Sequence, residues 1–252
     1  MRGTVLVTGG AKRIGREICL SLSKEGFSIA IHYHTSEQEA NSLVEEIKSH
    51  GGEAAPIQCN LTDSDSVKEL VTKAIDSLGQ IVGIVNNASH FSFDRLENLS
   101  EEVWSEHMMV NVLSPLLLIG QLPRSDKARS WVVNVLDFKV ESPNADYLSY
   151  TASRFAMHGL TSALAIDLAP NIRVNSVAPG HILTSHVLDE ESLEKTQSES
   201  PLGFGPLPID VADAVSFLAN SSSITGQTIF VDSGERFRQM KNDPASSLEG
   251  KI

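Results

Sequence analysis

The feature that most constrains the fold of this chain is the alternation of short, β-branched apolar runs with longer amphipathic stretches. The apolar runs are TVLVT, FSIAIHY, AAPIQC, IVGIVN, WVVNV, IRVNSVA and TIFVD, and the amphipathic stretches cover 13–25, 36–49, 64–78, 100–120, 150–168 and 209–220. Strands that alternate with helices of ten or more residues are typical of right-handed βαβ units and a parallel sheet covered on both faces. The sequence therefore predicts one doubly wound α/β domain with a seven-stranded parallel sheet.

The domain is expected to cover residues 1–240, because no repeat or linker divides them. Four glycines lie where predicted helices should end and fit left-handed C-caps: Gly26, Gly51, Gly52 and Gly79. Residues 181–208 are rich in Ser, Glu and Pro and resemble a substrate flap between two scaffold elements. Residues 241–252 form a polar tail that we expect to be frayed.

Charge and composition limit the classes of partner. The 252 residues carry a formal net charge of −12, which argues against nucleic acid or an anionic membrane surface as a partner, since both favour a basic face. The two cysteines, Cys19 and Cys59, have no metal-ligand spacing and cannot form a disulfide framework. With no signal peptide and no apolar stretch long enough to span a bilayer, we expect a cytoplasmic protein.

The first predicted strand runs into a glycine-rich loop, VTGGAKRIGREI, which opens the first predicted helix. Such a turn directs backbone N–H groups and the positive end of a helix dipole at a pyrophosphate. Gly9 and Gly15 would serve the tight turn and the close helix packing, whereas Arg13 stands where a glycine is usual. A simple tight connection is the alternative, but the N-terminal position in a doubly wound pattern favours a Rossmann dinucleotide site.

The end of the second predicted strand favours NADPH over NADH. An NAD-specific protein places an acid there on the adenosine ribose, but IHYHTSE has none before Glu37. Donors suited to a 2′-phosphate are His34, Thr35 and Ser36, with added charge from Lys12 and Arg13. His32 and His34 share one strand face, and no metal is expected because no Cys or carboxylate cluster completes a site.

A second candidate site lies in LDFKVESPNADYLSYTASR at 136–154. Tyr150 and Arg154 are four residues apart and so share one face of a helix, and Asp137 precedes Tyr150 by thirteen residues, just after a buried run. A phenol, a fixed cation and a carboxylate at a strand end can together handle protons. The triplet alone identifies nothing, because a basic residue four positions after a tyrosine often occurs by chance.

Five motifs agree in order and spacing across nearly the whole chain. They are TGGAKRIG, NNAS at 86–89, Asn111, Tyr150 with a basic residue four later, and NSVAPGHILT at 175–184. Together they resemble the short-chain dehydrogenase/reductase family. AKRIG, IHYHTS, NNASHF and Asp137, which stands where the family usually has a serine, resemble its pteridine reductase branch, including the dihydromonapterin reductases.

The resemblance implies an NADPH-dependent reductase that transfers a hydride to a C=N bond of a dihydropterin or dihydrofolate. Phe91 would stack on the pterin ring opposite the nicotinamide, and Ser89 and Arg13 would border the same pocket. Tyr150 and Asp137 would then deliver a proton to the ring nitrogen.

Asn111 and Arg154 would order the proton relay and the nicotinamide ribose in this resemblance. The glycine-rich loop and the resemblance together imply cofactor contacts from Gly9, Lys12, Arg13, Ile14, Gly15, His34, Thr35, Ser36, Asn60, Leu61, Asn87, Ala88, Ser89, Tyr150, Arg154, Pro179, Gly180 and Thr184. A homotetramer joined through the helices at 100–120 and 150–168 is also implied.

The carboxylate of Asp137 restricts the chemistry on physical grounds. In carbonyl reduction the serine donates a hydrogen bond to a developing oxyanion, which an ionised carboxylate would repel. Reduction of a ring C=N instead creates an N–H group, and pterins carry further N–H donors that a carboxylate accepts. Asp137 therefore favours a heteroaromatic imine over a ketone.

Arg154 is a second departure, because even the pteridine reductase branch usually has a lysine there. Arginine is cationic and a donor, but it is bulkier and effectively never deprotonates. It keeps open the alternative of a catalytically impaired dinucleotide-binding protein, and a carbonyl reductase of the 3-oxoacyl-carrier-protein type is a separate alternative that Asp137 disfavours. Two smaller departures are Asn60, where an Asp is usual, and Ser233, where the family has the first glycine of DGG.

Overall fold

A computed structural model describes residues 2–124, 129–184, 188–238 and 244. The strands are β1 (Thr4–Val7), β2 (Ser28–Tyr33), β3 (Ala54–Gln58), β4 (Ile81–Asn86), β5 (Ser130–Val135), β6 (Ile172–Pro179) and β7 (Thr228–Val231). The α-helices are α1 (Arg13–Lys24), α2 (Glu37–Ser49), α3 (Ser64–Leu78), α4 (Glu101–Met108), α5 (Ser114–Ile119), α6 (Leu148–Asp167), α7 (Glu190–Ser198) and α8 (Pro208–Asn220).

The strands form one parallel sheet in the order β3-β2-β1-β4-β5-β6-β7. The predicted doubly wound fold with seven parallel strands is therefore confirmed. The chain moves outward from β1 to β3 and then returns to place β4 against the other side of β1. This reversal opens a crevice at the carboxyl ends of β1 and β4, which is where doubly wound folds bind their ligands.

Both faces of the sheet are buried. In β1, Val5 and Val7 pack in a core layer with α1, α2 and α8, whereas Leu6 packs in a second layer with α3, α5 and α6. Successive strand residues point to opposite faces, so a strand covered on both sides needs a continuous apolar run. This explains why the strands of this chain read as unbroken apolar stretches.

Glycines end the first two helices. Gly26 (φ 88°) and Gly51 (φ 79°) adopt a positive φ after α1 and α2, as predicted, whereas Gly79 after α3 combines φ 83° with ψ −164° and so lies outside the left-handed helical region. The prediction is wrong for Gly52, which lies outside the left-handed region. Its N–H closes the cap by donating to the carbonyl of Ile47 (3.0 Å), the second bond of a Schellman motif.

Two predicted segments differ in the structure. The predicted helix over 100–120 is present, but it contains a π-helical turn at Met109–Leu113 between α4 and α5; a single inserted residue leaves the apolar pattern almost unchanged. The predicted flap at 181–208 contains the helix α7, and its residues 185–187 lie outside the described ranges. The predicted tail at 241–252 also lies outside them, apart from Pro244.

Among the helices of the described ranges, none combines the length and the apolar character needed to cross a membrane.

Candidate active site

The carboxyl ends of β1, β4, β5 and β6 open into a single cleft of about 930 Å³, called here the main cleft. Its lining runs from Gly9 after β1, through Asn87 after β4 and Asp137 after β5, to Gly180 after β6. The glycine-rich loop and the Asp137–Tyr150 segment therefore face the same space, although Gly9 and Tyr150 are 141 positions apart in the sequence.

The loop after β1 is hydrogen-bonded to a buried histidine, His32. The Gly9 N–H donates to Nδ1 of His32 (2.9 Å), and Nε2 of the same ring lies 3.1 Å from the carbonyl oxygen of Cys59. The ring therefore accepts on Nδ1 and donates from Nε2, which is the neutral form. Burial lowers the pKa of His32 to about 4 and so keeps it neutral.

Arg13 occupies the position of the usual middle glycine at an unusual backbone angle. Its φ is 55°, in the left-handed region that glycine adopts without cost. Its guanidinium donates to the carbonyl oxygen of Thr184 (2.8 Å) and so links the glycine-rich loop to the start of the predicted flap. Thr184 itself is exposed and does not line the main cleft.

Contacts between the loops after β1 and β4 fix the floor of the main cleft. Asn87 donates through Nδ2 to the carbonyl oxygens of Thr8 (2.9 Å) and Gly9 (3.1 Å). The Thr8 hydroxyl in turn accepts from the N–H groups of Asn87 and Ala88, both at 3.0 Å. The NNAS motif thus braces the glycine-rich loop.

The end of β2 is only partly arranged as predicted. His34 and Lys12 line the main cleft, but Thr35 and Ser36 do not. Lys12 is paired with Glu39 (2.6 Å), an acid that lies beyond the strand end in the sequence and that α2 brings back toward the loop. The Lys12 charge that was predicted for a 2′-phosphate is therefore already partnered.

Tyr150 and Asp137, which the sequence predicts to lie together, are hydrogen-bonded. The hydroxyl of Tyr150 donates to Oδ2 of Asp137 at 2.7 Å, and Oδ1 of Asp137 accepts from the N–H of Lys139 (2.9 Å). Burial raises the pKa of the Tyr150 phenol well above its ordinary value; the Arg154 guanidinium lowers it and Asp137 raises it. Tyr150 is therefore held as a neutral phenol, able to give a proton.

Arg154 is buried beside this pair. Its guanidinium carbon lies 5.0 Å from the centre of the Tyr150 ring. Its terminal nitrogens donate to the carbonyl oxygen of Val135 (3.1 Å) and to the hydroxyl of Ser89 (2.6 Å). The cation is thus anchored between the end of β5 and the loop after β4.

Asn111 sits in the π-helical turn and clamps the segment that follows NNAS. Its Oδ1 accepts from the N–H of His90 (2.8 Å), and its Nδ2 donates to the carbonyl oxygen of the same residue (3.0 Å) and to the hydroxyl of Ser153 (2.9 Å). The π turn, which often marks functional sites, turns this side chain toward the cleft wall.

Phe91 lines the main cleft, but its surroundings were not anticipated. Its ring stacks on Tyr147 (centroids 4.3 Å apart, 14° between planes) and meets Tyr150 edge-on (4.8 Å). Tyr147 could not be predicted from the sequence, because the apolar pattern does not mark it. Lys139 was not predicted either; it is a buried lysine whose ammonium lies 4.8–5.9 Å from these three rings.

The family model for short chain dehydrogenases matches residues 3–195, well over half of the chain. The chain belongs to the short-chain dehydrogenase family.

Relatives within this family carry two kinds of name. The chain is 33% identical over 241 residues to the 3-oxoacyl-[acyl-carrier-protein] reductase FabG of Staphylococcus aureus, covering 93% of this chain and 98% of that protein. Among solved structures, it is similar to FolM Alternative dihydrofolate reductase 1 from Brucella canis complexed with NADP, with a TM-score of 0.90, 36% identity, and coverage of 95% of this chain and 96% of that one.

A third similar protein is a blue fluorescent protein from a metagenomic library in complex with NADPH. Its TM-score is 0.83 at 30% identity, with coverage of 92% of this chain and 97% of that one. The FolM likeness supports the pteridine reductase-like branch of the short-chain dehydrogenase family that the motifs of this chain indicate.

Most residues predicted from the short-chain dehydrogenase motifs meet in the main cleft. Those that line it are Gly9, Lys12, Arg13, Ile14, Gly15, His34, Asn60, Leu61, Asn87, Ala88, Ser89, Phe91, Asp137, Tyr150, Arg154, Pro179 and Gly180. Those that do not are Thr35, Ser36, Asn111 and Thr184. Asn60 also bonds within its own turn, where its Oδ1 accepts from the N–H (3.0 Å) and hydroxyl (2.9 Å) of Thr62.

Sequence analysis also missed His181, although it lies inside the quoted NSVAPGHILT motif. It lines the main cleft and pairs with Glu235 at 2.6 Å. The two residues are 54 positions apart. Nothing in the sequence around Glu235, just after the DSG segment, predicts that it contacts His181. In the described part of the chain, no group of three or more His, Cys, Asp or Glu side chains could hold a metal ion.

Proposed function

We propose that this protein is an NADPH-dependent reductase of a pterin C=N bond, acting on a dihydropterin or dihydrofolate. The observation that carries the proposal is the 2.7 Å hydrogen bond from the Tyr150 phenol to the Asp137 carboxylate. A carboxylate at this position accepts N–H groups of a pterin, whereas it would repel the oxyanion formed in carbonyl reduction. The likeness to FolM, which is named an alternative dihydrofolate reductase, supports the same substrate class.

The cofactor is NADPH, and the loop after β1 fits it. A side chain at Gly15 would place its Cβ 2.2 Å from the Gly9 carbonyl oxygen, so only glycine lets helix and loop approach this closely. The first turn of α1 holds no acidic residue, and its N-cap, Lys12, makes no side-chain capping bond. The positive end of the helix thus remains available to a pyrophosphate. When bound, NADPH supplies the hydride.

Tyr150 and Asp137 serve the proton side of the reaction. Because burial raises the pKa of Tyr150, the phenol carries its proton at neutral pH and can give it to the ring nitrogen beside the carbon that receives hydride. Asp137 holds the phenol through Oδ2 and is fixed through Oδ1. After transfer, the nearby Arg154 cation stabilises the phenolate until it is reprotonated.

A carbonyl reductase is the second candidate, because of the 33% identity to FabG. Asp137 argues against carbonyl reduction, because its carboxylate would repel the oxyanion that forms in that reaction. A binding protein without turnover is a third candidate, since Arg154 effectively never releases a proton.

The proposal is tested by NADPH oxidation with dihydrobiopterin, dihydromonapterin, dihydrofolate and an acetoacetyl thioester in parallel. We expect turnover of at least one pterin and none of the thioester. Asp137→Asn, which keeps the size of the side chain, should lower kcat for the pterin by roughly 100-fold or more, and so should Tyr150→Phe.

The matched control is Asp137→Ser, which restores the usual residue of the family. Gain of thioester turnover in this variant, with loss of pterin turnover, would support the assignment of Asp137. Turnover of the thioester by the wild-type protein, without pterin reduction, would show that the proposal is wrong. Tight NADPH binding with no turnover of any substrate would favour the binding protein.

A further inference from the structure

Lys12 and Glu39 form an ion pair in the lining of a second cavity beside the main cleft. This cavity has a volume of about 480 Å³, and Lys12 and Arg13 line both it and the main cleft. The Lys12 ammonium lies 2.6 Å from Oε1 of Glu39, and both side chains are nearly half exposed. The ion pair is therefore accessible to a ligand that lies along the glycine-rich loop.

The start of α2 brings the Glu39 carboxylate to this place. β2 ends at Tyr33 and α2 begins at Glu37, so Glu39 lies in the first turn of the helix that follows β2. The end of this strand is where a Rossmann fold receives the adenosine ribose, and an acid there suits the ribose hydroxyls of NAD, whereas a 2′-phosphate needs cations. Glu39 thus carries the charge that suits the other cofactor.

The remaining cations of the second cavity are engaged elsewhere. Arg13 donates to the carbonyl oxygen of Thr184 (2.8 Å), and Arg16 pairs with Glu46 of α2. Lys12 is the basic residue of this cavity whose carboxylate partner lines the same cavity. A phosphate that approaches Lys12 therefore meets a carboxylate as well.

The charges of the two acceptors oppose each other. The hydrogen bond from Lys12 lowers the pKa of Glu39, so the carboxylate is ionised at neutral pH. A phosphate monoester carries a charge of about −1.5 to −2 at this pH, and it is repelled by a carboxylate that shares its cation. Because exposed ion pairs are weak, the phosphate can displace Glu39 from Lys12, but the binding of the phosphate is weakened by the lost pair.

We propose that Glu39 limits the preference of this protein for NADPH over NADH, because the 2′-phosphate must displace the Glu39 carboxylate from Lys12. NADH has no 2′-phosphate and leaves the ion pair intact. Glu39 is thus a determinant of cofactor selectivity that acts against the cations around it. This inference concerns the cofactor alone and goes beyond the reduction of a pterin.

The test measures the Kd values of NADP⁺ and NAD⁺, which differ only in the 2′-phosphate, by calorimetry without a substrate. The variants are Glu39→Gln, which keeps the size of the side chain and removes its charge, and Lys12→Gln. Glu45→Gln is the matched control, because it makes the same change of net charge on α2 at a residue that pairs with Lys48 and lines neither cavity. Glu39→Ala, a second way to remove the charge, should reproduce the effect of Glu39→Gln.

We expect Glu39→Gln to lower the Kd of NADP⁺ about fivefold, the upper end of what an exposed ion pair contributes, and not to lower that of NAD⁺. Lys12→Gln should raise the Kd of NADP⁺ about tenfold, for the loss of a hydrogen bond between charged groups, and should change that of NAD⁺ less than about twofold. Glu45→Gln should change neither value.

Salt separates an effect of charge from an effect of shape. The gain in NADP⁺ affinity of Glu39→Gln should shrink between about 0.05 M and about 0.5 M NaCl, because exposed charges are screened over shorter distances at higher salt. A gain that does not depend on salt would overturn the inference.

Four other results would also overturn it. They are weaker NADP⁺ binding in Glu39→Gln, which would show that the carboxylate positions Lys12 for the phosphate; equal effects of Glu39→Gln on both cofactors, or equal effects of Glu39→Gln and Glu45→Gln; no effect of Lys12→Gln on NADP⁺; and no binding of NADP⁺ by the wild-type protein. Since no substrate is present, failure of pterin turnover leaves these measurements and their interpretation unchanged.

Discussion

Arg154, which stands where the family usually has a lysine, is held in place by two hydrogen bonds. Two acceptors lie within reach of its terminal nitrogens, the Val135 carbonyl and the Ser89 hydroxyl. The guanidinium thus remains beside the Tyr150 ring and lowers the pKa of the phenol, against the larger effect of burial. Arginine keeps the positive charge of the usual lysine, but unlike lysine it effectively never exchanges a proton.

Arg154→Lys should therefore raise kcat for pterin reduction by about tenfold, since an ammonium can pass a proton during the relay. The Kd for NADPH should change much less. Single-turnover kinetics and NADPH titration measure the two quantities, and Arg154→Met, which removes the cation, should lower kcat. An unchanged or lower kcat in the lysine variant would show that the relay does not limit the rate.

The loop between β1 and α1 shows how one element depends on its neighbours. Its shape rests on His32 of β2, which accepts from Gly9 and donates to the residue after β3. A ring that must accept on Nδ1 cannot be protonated there without losing the Gly9 bond. Burial accordingly lowers the pKa of His32 to about 4, from an ordinary 6.5.

The depressed pKa makes stability depend on pH. The unfolded chain binds a proton at His32 below its ordinary pKa of 6.5, while the folded protein does so only near 4. The contribution of His32 is therefore complete above pH 6.5 and is lost as the pH falls toward 4. It amounts to about 2 kcal/mol by about pH 5 and to about 3 kcal/mol in all.

Denaturant unfolding near neutral pH and near pH 5 measures this effect. In the wild-type protein the free energy of unfolding should fall by about 2 kcal/mol more than in His32→Gln, whose amide can make both hydrogen bonds but does not titrate. The difference between the two proteins cancels the titration of the surface carboxylates. Equal pH dependence in both would contradict the assignment of a neutral His32.

The π-helical turn is a second case at the level of elements. It places Asn111 where its side chain clamps His90 and contacts Ser153. The apolar pattern of 100–120 predicts one continuous helix, since the residues on either side of the turn are apolar. The hydrogen-bond slip of a π turn comes from contacts with neighbouring segments, which the local pattern does not contain.

At the scale of the whole molecule, large apolar side chains remain exposed on the outer surface of the helices at 101–119 and of α6. They are Trp104 (39% exposed), Leu113 (44%), Phe155 (43%) and Ile166 (81%). Exposed apolar residues grouped on neighbouring helices mark surfaces of association, and α4 contacts α6. The surface suits association between identical chains, and we expect it to join them in the homotetramer that the family resemblance implies.

Light scattering after gel filtration measures the assembly. Phe155→Glu should reduce it to a smaller species, because a carboxylate would be buried without a partner at the interface. Ile209→Glu is the matched control, since Ile209 is 40% exposed on α8, which packs against α1 and the sheet. A monomeric wild-type protein, or equal effects of the two substitutions, would contradict the expectation.

The sequence by itself determined the order and kind of the strands and most helices, the seven-stranded sheet, and the common helix face of Tyr150 and Arg154. These follow from local rules, because apolar runs mark buried strands and the helical repeat sets which residues share a face. The doubly wound order then brings the carboxyl ends of the strands together at one cleft.

Only the tertiary structure decided the pairing of Lys12 with Glu39, the stacking of Phe91 on Tyr147, the anchoring of Arg154 by Ser89, and the burial of Glu235 against His181. Each joins residues from different elements, and each depends on how those elements cross and how closely they pack. Periodicity describes one element at a time, so contacts of this kind leave no mark in the local pattern.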